Sequence, residues 1–92
     1  MSKRRDKISI INDMLLSVIV KGGTIKPTHL LYKSNLSHKR MAPLVDELIN
    51  RDLLQTVQYG KESKKMYSIT DEGRKFVSEY KKMKEFVDSF GF

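Results

Sequence analysis

The chain has 92 residues, no cysteine, and a formal net charge of +7 from 18 basic and 11 acidic side chains. That length suits one small domain; such a chain buries only about 60% of the surface it exposes when unfolded, so additional burial is expected, and without cysteine disulfides cannot supply the missing stability; the absence of cysteine also fits a reducing interior. A membrane anchor is not expected, since the longest apolar stretch, residues 14–20, is short and broken by Ser17, and Asp6, Lys7 and Asp13 interrupt what would be the apolar region of a signal peptide after Lys3-Arg4-Arg5.

The charge is one-sided. Residues 1–40 carry nine basic and two acidic side chains, whereas residues 41–92 carry nine of each. All of the excess positive charge therefore precedes or opens the middle of the chain, a distribution that suits a polyanion.

Residues 1–5 read as a polar, basic lead. A first helix is predicted over residues 6–21, with Ile8, Ile11, Leu15, Val18 and Ile19 as its main stripe. Ile10, Met14, Leu16 and Val20 widen that stripe, which predicts burial on more than one side. Gly22-Gly23 ends the helix, because glycine accepts the left-handed conformation that closes helices. Residues 24–26 read as a short extended piece. Pro27 then suits the first position of a second, brief helix reaching about Lys33, with Leu30 and Leu31 inward and Tyr32 partly so. Asn35 is placed to take the left-handed conformation after it.

The third helix organises the rest. Met41, Leu44, Val45, Leu48 and Ile49 fall on one face, and Ser37 stands where a hydroxyl can cap the first turn. The opposite face carries Lys39, Pro43, Asp46 and Asn50, flanked by Arg40 and Glu47. Two helices joined by a tight turn, the second basic at its start, make a helix-turn-helix. Pro43 predicts a kink or a loosened first turn, since it removes a backbone bond to residue 39.

After Leu53-Leu54, residues 55–59 read as a strand, residues 60–63 as a turn and residues 64–69 as a returning strand. A hairpin at this point is the wing of a winged helix, with Lys61, Lys64 and Lys65 at its tip. Thr70 caps a last helix, with Asp71 and Glu72 in its first turn. Phe76, Tyr80, Met83, Val87 and Phe90 recur there at spacings of 4, 3, 4 and 3, which is a heptad seam. About twenty helical residues reach roughly 30 Å, so the seam projects and predicts a two-stranded antiparallel coil with a second copy.

The fold expected is α+β and mainly α: a winged helix-turn-helix of three helices and a hairpin over residues 1–70, followed by a dimerisation helix over residues 71–92. The chain resembles the small basic archaeal winged-helix, coiled-coil proteins of about ten kilodaltons described as chromatin or DNA-binding proteins. The resemblance runs through R-R-D-K-I-S-I-I, T-H-L-L-Y-K-S-N-L-S, L-V-D-E-L-I-N-R-D-L-L and Y-S-I-T-D-E-G-R-K-F. It implies an archaeal source and a homodimer joined through its C-terminal helices, with two wings and two recognition helices presented to double-stranded DNA. Such a protein would be cytoplasmic and nucleoid-associated, as a transcriptional regulator or a chromatin protein.

In that reading Lys3, Arg4, Arg5, Lys61, Lys64 and Lys65 attract phosphates, and Lys33 helps on the neighbouring backbone. Ser37, His38, Lys39 and Arg40 sit at the major groove, with Arg40 able to pair its fork with guanine. Asp46 and Glu47 would repel phosphates, so only the first turn of the helix is expected to enter the groove. No metal, cofactor, small-molecule or catalytic site is expected. His29 and His38 are the only histidines and share no ligand spacing, and Gly22-Gly23 lacks the residues of a phosphate loop. The other class left open is a winged helix that binds proteins instead of DNA, favoured by the acids on the recognition face.

Overall fold

The computed structural model describes residues 6–62 and 64–91. In chain order it contains α1 (Lys7–Val20), β1 (Thr24–Ile25), α2 (Pro27–Ser34), α3 (His38–Asn50), β2 (Leu54–Tyr59), β3 (Lys64–Ile69) and α4 (Asp71–Asp88). This is a winged helix, mainly helical, with a three-stranded antiparallel sheet in the order β1-β3-β2.

Local chemistry sets most boundaries. At the start of α1, an Asp6 side-chain oxygen accepts from the Ser9 N–H at 2.7 Å, satisfying one of the free donors of the first turn. At its end Gly22 (φ 96°) and Gly23 (φ 101°) turn left-handed and donate to the Ile19 and Val18 carbonyls, both at 2.9 Å. Pro27 opens α2, and Asn35 (φ 56°) closes it. The Ser37 hydroxyl accepts from the Arg40 N–H at 3.2 Å and starts α3. The Thr70 hydroxyl accepts from the Gly73 N–H at 2.9 Å and donates to the Asp52 carbonyl at 2.6 Å, tying the start of α4 to the α3–β2 turn.

The wing is the β2–β3 hairpin, with Leu54 opposite Ile69 at its base and Tyr59 opposite Lys64 near its tip. The short extended piece is more than a connector. As β1 it pairs Thr24 with Ser68 and Ile25 with Tyr67, clamping the hairpin to the end of α1. The core gathers Met14, Leu15 and Val18 from α1, Ile25 from β1, Leu30 from α2, Met41, Val45 and Leu48 from α3, and Leu54, Tyr67 and Ile69 from the sheet. Fully burying one such aliphatic side chain stabilises the fold by about 1.5–3 kcal/mol.

Three expectations need correction. First, α1 is covered on one broad side only, through Ile10, Ile11, Met14, Leu15 and Val18. Ile8, expected in the main stripe, is about half exposed, Leu16 is also exposed, and Val20 is 71% exposed. The apolar residues of α1 run further round the helix than its neighbours reach. Second, Tyr32 is 88% exposed, because Leu30 and Ser34 take the inward positions of so short a helix. Third, the first turn of α3 is not loosened: Arg40 and Met41 donate to the Ser37 carbonyl at 3.1 and 2.9 Å, and the helix continues through Pro43. Pro43 lies on the exposed face, so water can serve the Lys39 carbonyl that lacks its helical donor.

α4 begins on this body and leaves it. Gly73 is buried so closely that a Cβ there would overlap the Leu53 carbonyl oxygen and the Ile69 side chain. Phe76 and Val77 pack against the core, while residues 81–91 are all exposed. The helix gives the molecule its long axis, in overall extents of 52 × 27 × 22 Å. Among the described residues no helix is long and apolar enough to cross a membrane.

Candidate nucleic-acid interface

Because α3 buries Met41, Val45 and Leu48, the 3.6-residue repeat turns Lys39, Pro43, Asp46 and Asn50 outward. His38, Lys39 and Arg40 are all exposed in the capped first turn. They differ in direction. His38 lines a cleft of about 280 Å³ with Pro27, Thr28, Asp46 and Lys65, so it faces α2 and the wing. Arg40 lines a shallower groove with Lys7, Ile10, Pro43 and Leu44, so it lies on the flank towards the start of α1. Lys39 stands on the outward face.

The wing lysines are exposed and held loosely. Lys64 approaches Glu62 at 3.7 Å, and the Lys65 ammonium lies 5.4 Å from the centre of the Tyr67 ring. Exposed ion pairs of this kind are worth about 0–1 kcal/mol and release their charge readily. Across from the wing lies the start of α2. Lys26, Pro27 and Thr28 line a cleft of about 630 Å³ with Tyr59, Lys61, Glu62, Lys64 and Lys65. Lys26 therefore joins the wing lysines, although nothing in its local pattern selected it. The signal that could have found it is longer: residues 14–45 contain no acidic residue at all.

The two acids of α3 have different fates. Both Glu47 carboxylate oxygens are engaged by Lys7, at 2.9 and 3.0 Å, and one also accepts from the Arg51 guanidinium at 3.0 Å. Hydrogen bonds from Lys7 and then Arg51 hold its carboxyl below the usual value, against a smaller opposing effect of burial. Its charge is thus compensated on the α1 side of the helix. Asp46 stays exposed on the wall of the cleft shared by His38 and Lys65.

Lys33 lies on the far flank of α2, in a groove with Asp13, Leu16 and Val20 of α1. Lys3, Arg4 and Arg5 fall outside the described residues. Along α4, Phe76 and Tyr80 are half-buried and stacked with ring centres 6.5 Å apart, and Met83 and Val87 are exposed; Phe90, expected as the last seam position of the helix, is exposed in the turn beyond its end at Asp88. Phe86, 65% exposed and in edge contact with Phe90 at 5.1 Å, extends that apolar face beyond the heptad positions. Among the described residues no group of three or more His, Cys, Asp or Glu side chains could hold a metal ion.

Solved structures share this fold. The fold is similar to Sso10a-2, a DNA-binding protein from Sulfolobus solfataricus, with a TM-score of 0.73, 20% identity, and coverage of 95% of this chain and 90% of that one. It is also similar to F93 from STIV, a winged-helix DNA-binding protein, with a TM-score of 0.71, 19% identity, and 87% and 90% coverage. The PcaV transcriptional regulator from Streptomyces coelicolor matches over 77% of this chain but 52% of its own, with a TM-score of 0.68 and 19% identity. At such identities the likeness concerns the fold. No curated protein matches the sequence significantly. The winged helix-turn-helix family matches residues 4–88, almost the whole length, and the chain belongs to that family.

Proposed function

We propose that the protein is a homodimeric, double-stranded DNA-binding protein, a transcriptional regulator or chromatin protein of the nucleoid. The observation that carries this reading is the cleft where α2, α3 and the wing meet. There His38 from the first turn of α3 and Lys65 from the wing line one surface, with Lys39 exposed beside it and Glu47 already occupied by Lys7 and Arg51. A first turn of this kind can enter a major groove while wing lysines hold the flanking phosphates. Lys39 has the outward position for base edges, and Arg40 reaches backbone or bases from the flank.

The dimer reading rests on α4. Met83, Phe86 and Val87 expose an apolar face on the part of the helix that leaves the body, and Phe90 extends it in the turn just past the helix end. An antiparallel pairing of two such helices would bury these faces against each other and set two cationic faces apart. The boundary between the winged domain and the pairing segment then falls within α4, after the residues that pack on the core.

Asp46, exposed in the cleft, favours the second reading, a protein-binding winged helix. Gel-shift titration on random and defined duplexes at several salt concentrations separates the two. DNA binding predicts a shift that weakens steeply with salt, and a variant carrying Lys39→Ala and Arg40→Ala should lose at least tenfold in affinity with an unchanged circular dichroism spectrum. Absence of any shift at low salt would leave the protein-binding reading in place. A preference for one operator over bulk DNA marks a regulator, and its absence an architectural protein.

A further inference from the structure

The acid-free stretch over residues 14–45 builds the end of α1, β1, all of α2 and the first half of α3. Its cations do not all face the recognition cleft. Lys26, His29 and Lys33 are spaced three and four apart at the N-cap and along α2, which puts them on one side of that helix. Lys21, the C-cap of α1, joins them. Their proximity shows in His29, whose imidazole is held below its usual value by partial burial first, then by the charges of Lys21, Lys33 and Lys26.

His29 and Lys33 are turned well away from Leu31, which lines the cleft against α3, while Lys26 at the N-cap also lines the wing cleft and stands where the two surfaces meet. Tyr32, with its ring almost wholly in solvent, stands between the two sides. Among the described residues none of Lys21, Lys26 and Lys33 has an ion-pair partner. The nearby acid is Asp13, across the α1–α2 groove from Lys33. Uncompensated like charges on one helix face disfavour the free state, and a polyanion relieves them.

We infer that this flank of α2 is a second phosphate-binding surface, which takes up the backbone of the bound duplex beyond the stretch held by α3 and the wing. The inference rests on the DNA-binding reading above. A helix is about 10–12 Å across and B-DNA advances about 3.4 Å per base pair, so passage from one side of α2 to the other lengthens the footprint by roughly three base pairs at each end of a dimer's site. Tyr32 lies on the path and can donate its hydroxyl to a phosphate oxygen. Each phosphate neutralised adds about 0.9 to the slope of log affinity against log salt. An acidic polypeptide is the rival occupant. The paired presence of a lysine cluster and an exposed tyrosine beside the recognition helix favours the duplex.

The two histidines make the test direct. The full chain is titrated by NMR alone, with a 12-base-pair duplex, with a 30-base-pair duplex and with polyglutamate. On the long duplex the phosphates offset the lysine charges, so the His29 pKa rises; on the short duplex His38 responds and His29 does not. A variant combining Lys21→Gln and Tyr32→Ala should bind the short duplex as the wild type does, and on the long duplex its salt slope should fall by about one. If His38 responds to the long duplex while His29 stays unchanged, the flank is not touched and the inference is overturned, leaving the DNA-binding reading intact. If neither histidine responds to any duplex, both fall. A His29 response to polyglutamate and to no duplex would assign the surface to an acidic protein and overturn the inference as well.

Discussion

Pro43→Ala tests the recognition helix where the sequence and the structure disagree most. The residue sits inside α3, which is helical from His38 to Asn50, and its ring lies on the exposed face. Alanine would restore an N–H donor to the Lys39 carbonyl and remove the steric cost of an interior proline, together about 3 kcal/mol in helix propensity. Against this, proline also restricts the unfolded chain, and losing that restriction returns about 0.4–1 kcal/mol. The exposed ring, at the edge of the groove with Ile10 and Leu44, has little packing to lose, so the net gain should be about 2 kcal/mol. For a domain of this size that corresponds to a rise in Tm of roughly 8–16 °C. The assay is urea and thermal unfolding of both proteins at one fixed protein concentration, since a dimer's melting depends on it. An unchanged or lower Tm would refute the reasoning, because it would mean that the Lys39 carbonyl already has a partner or that the proline ring makes a stabilising contact. A gain in stability accompanied by weaker DNA binding would identify the proline as shaping the docking face.

Replacing Met83 and Val87 with glutamate should convert a dimer to a monomer in light scattering, as like charges facing each other along the seam cannot be buried cheaply; an identical mass before and after removes α4 as the pairing element. Gly73→Ala should destabilise the fold by about 1–3 kcal/mol in urea melts, despite alanine's better helix propensity, because the added methyl meets the Leu53 carbonyl and Ile69; a more stable variant would show that α4 can shift at its start. Glu47 has a lowered pKa in the fold, so its contribution to stability is present above the ordinary carboxylate range and disappears as pH falls through the folded value. Glu47→Gln should therefore narrow the stability difference between pH 7 and pH 3.5, and parallel acid unfolding of the two proteins would show that the Lys7 and Arg51 contacts are not formed in solution.

Much of the fold could be read without coordinates because its boundaries are made by neighbours in sequence. Ser37 and Thr70 cap the helices they precede, Gly22, Gly23 and Asn35 adopt the positive φ their positions suggested, and the alternation of residues 64–69 forms the returning strand. A cap or a turn involves groups three or four residues apart, so the local string contains both partners. Sidedness is different. The apolar run of α1 could not say that only Ile10, Ile11, Met14, Leu15 and Val18 would be covered, because coverage depends on where α2, α4 and the sheet come to rest. Tyr32 was misplaced for the same reason.

The candidate interface divides along the same line. That His38, Lys39 and Arg40 open a capped recognition helix follows from spacing alone. That His38 shares a cleft with Lys65, that Lys26 faces the wing, and that Arg40 leans towards Lys7 required the packed chain. The clearest case is Glu47. In the sequence it is an acid on a surface proposed to meet phosphates, and Lys7 lies forty residues away. Folding brings the two ammonium–carboxylate partners within 3 Å of each other and removes the objection. Periodicity and capping are encoded over a few residues and survive in the string; compensation of charge across elements exists only once α1 has packed beside α3.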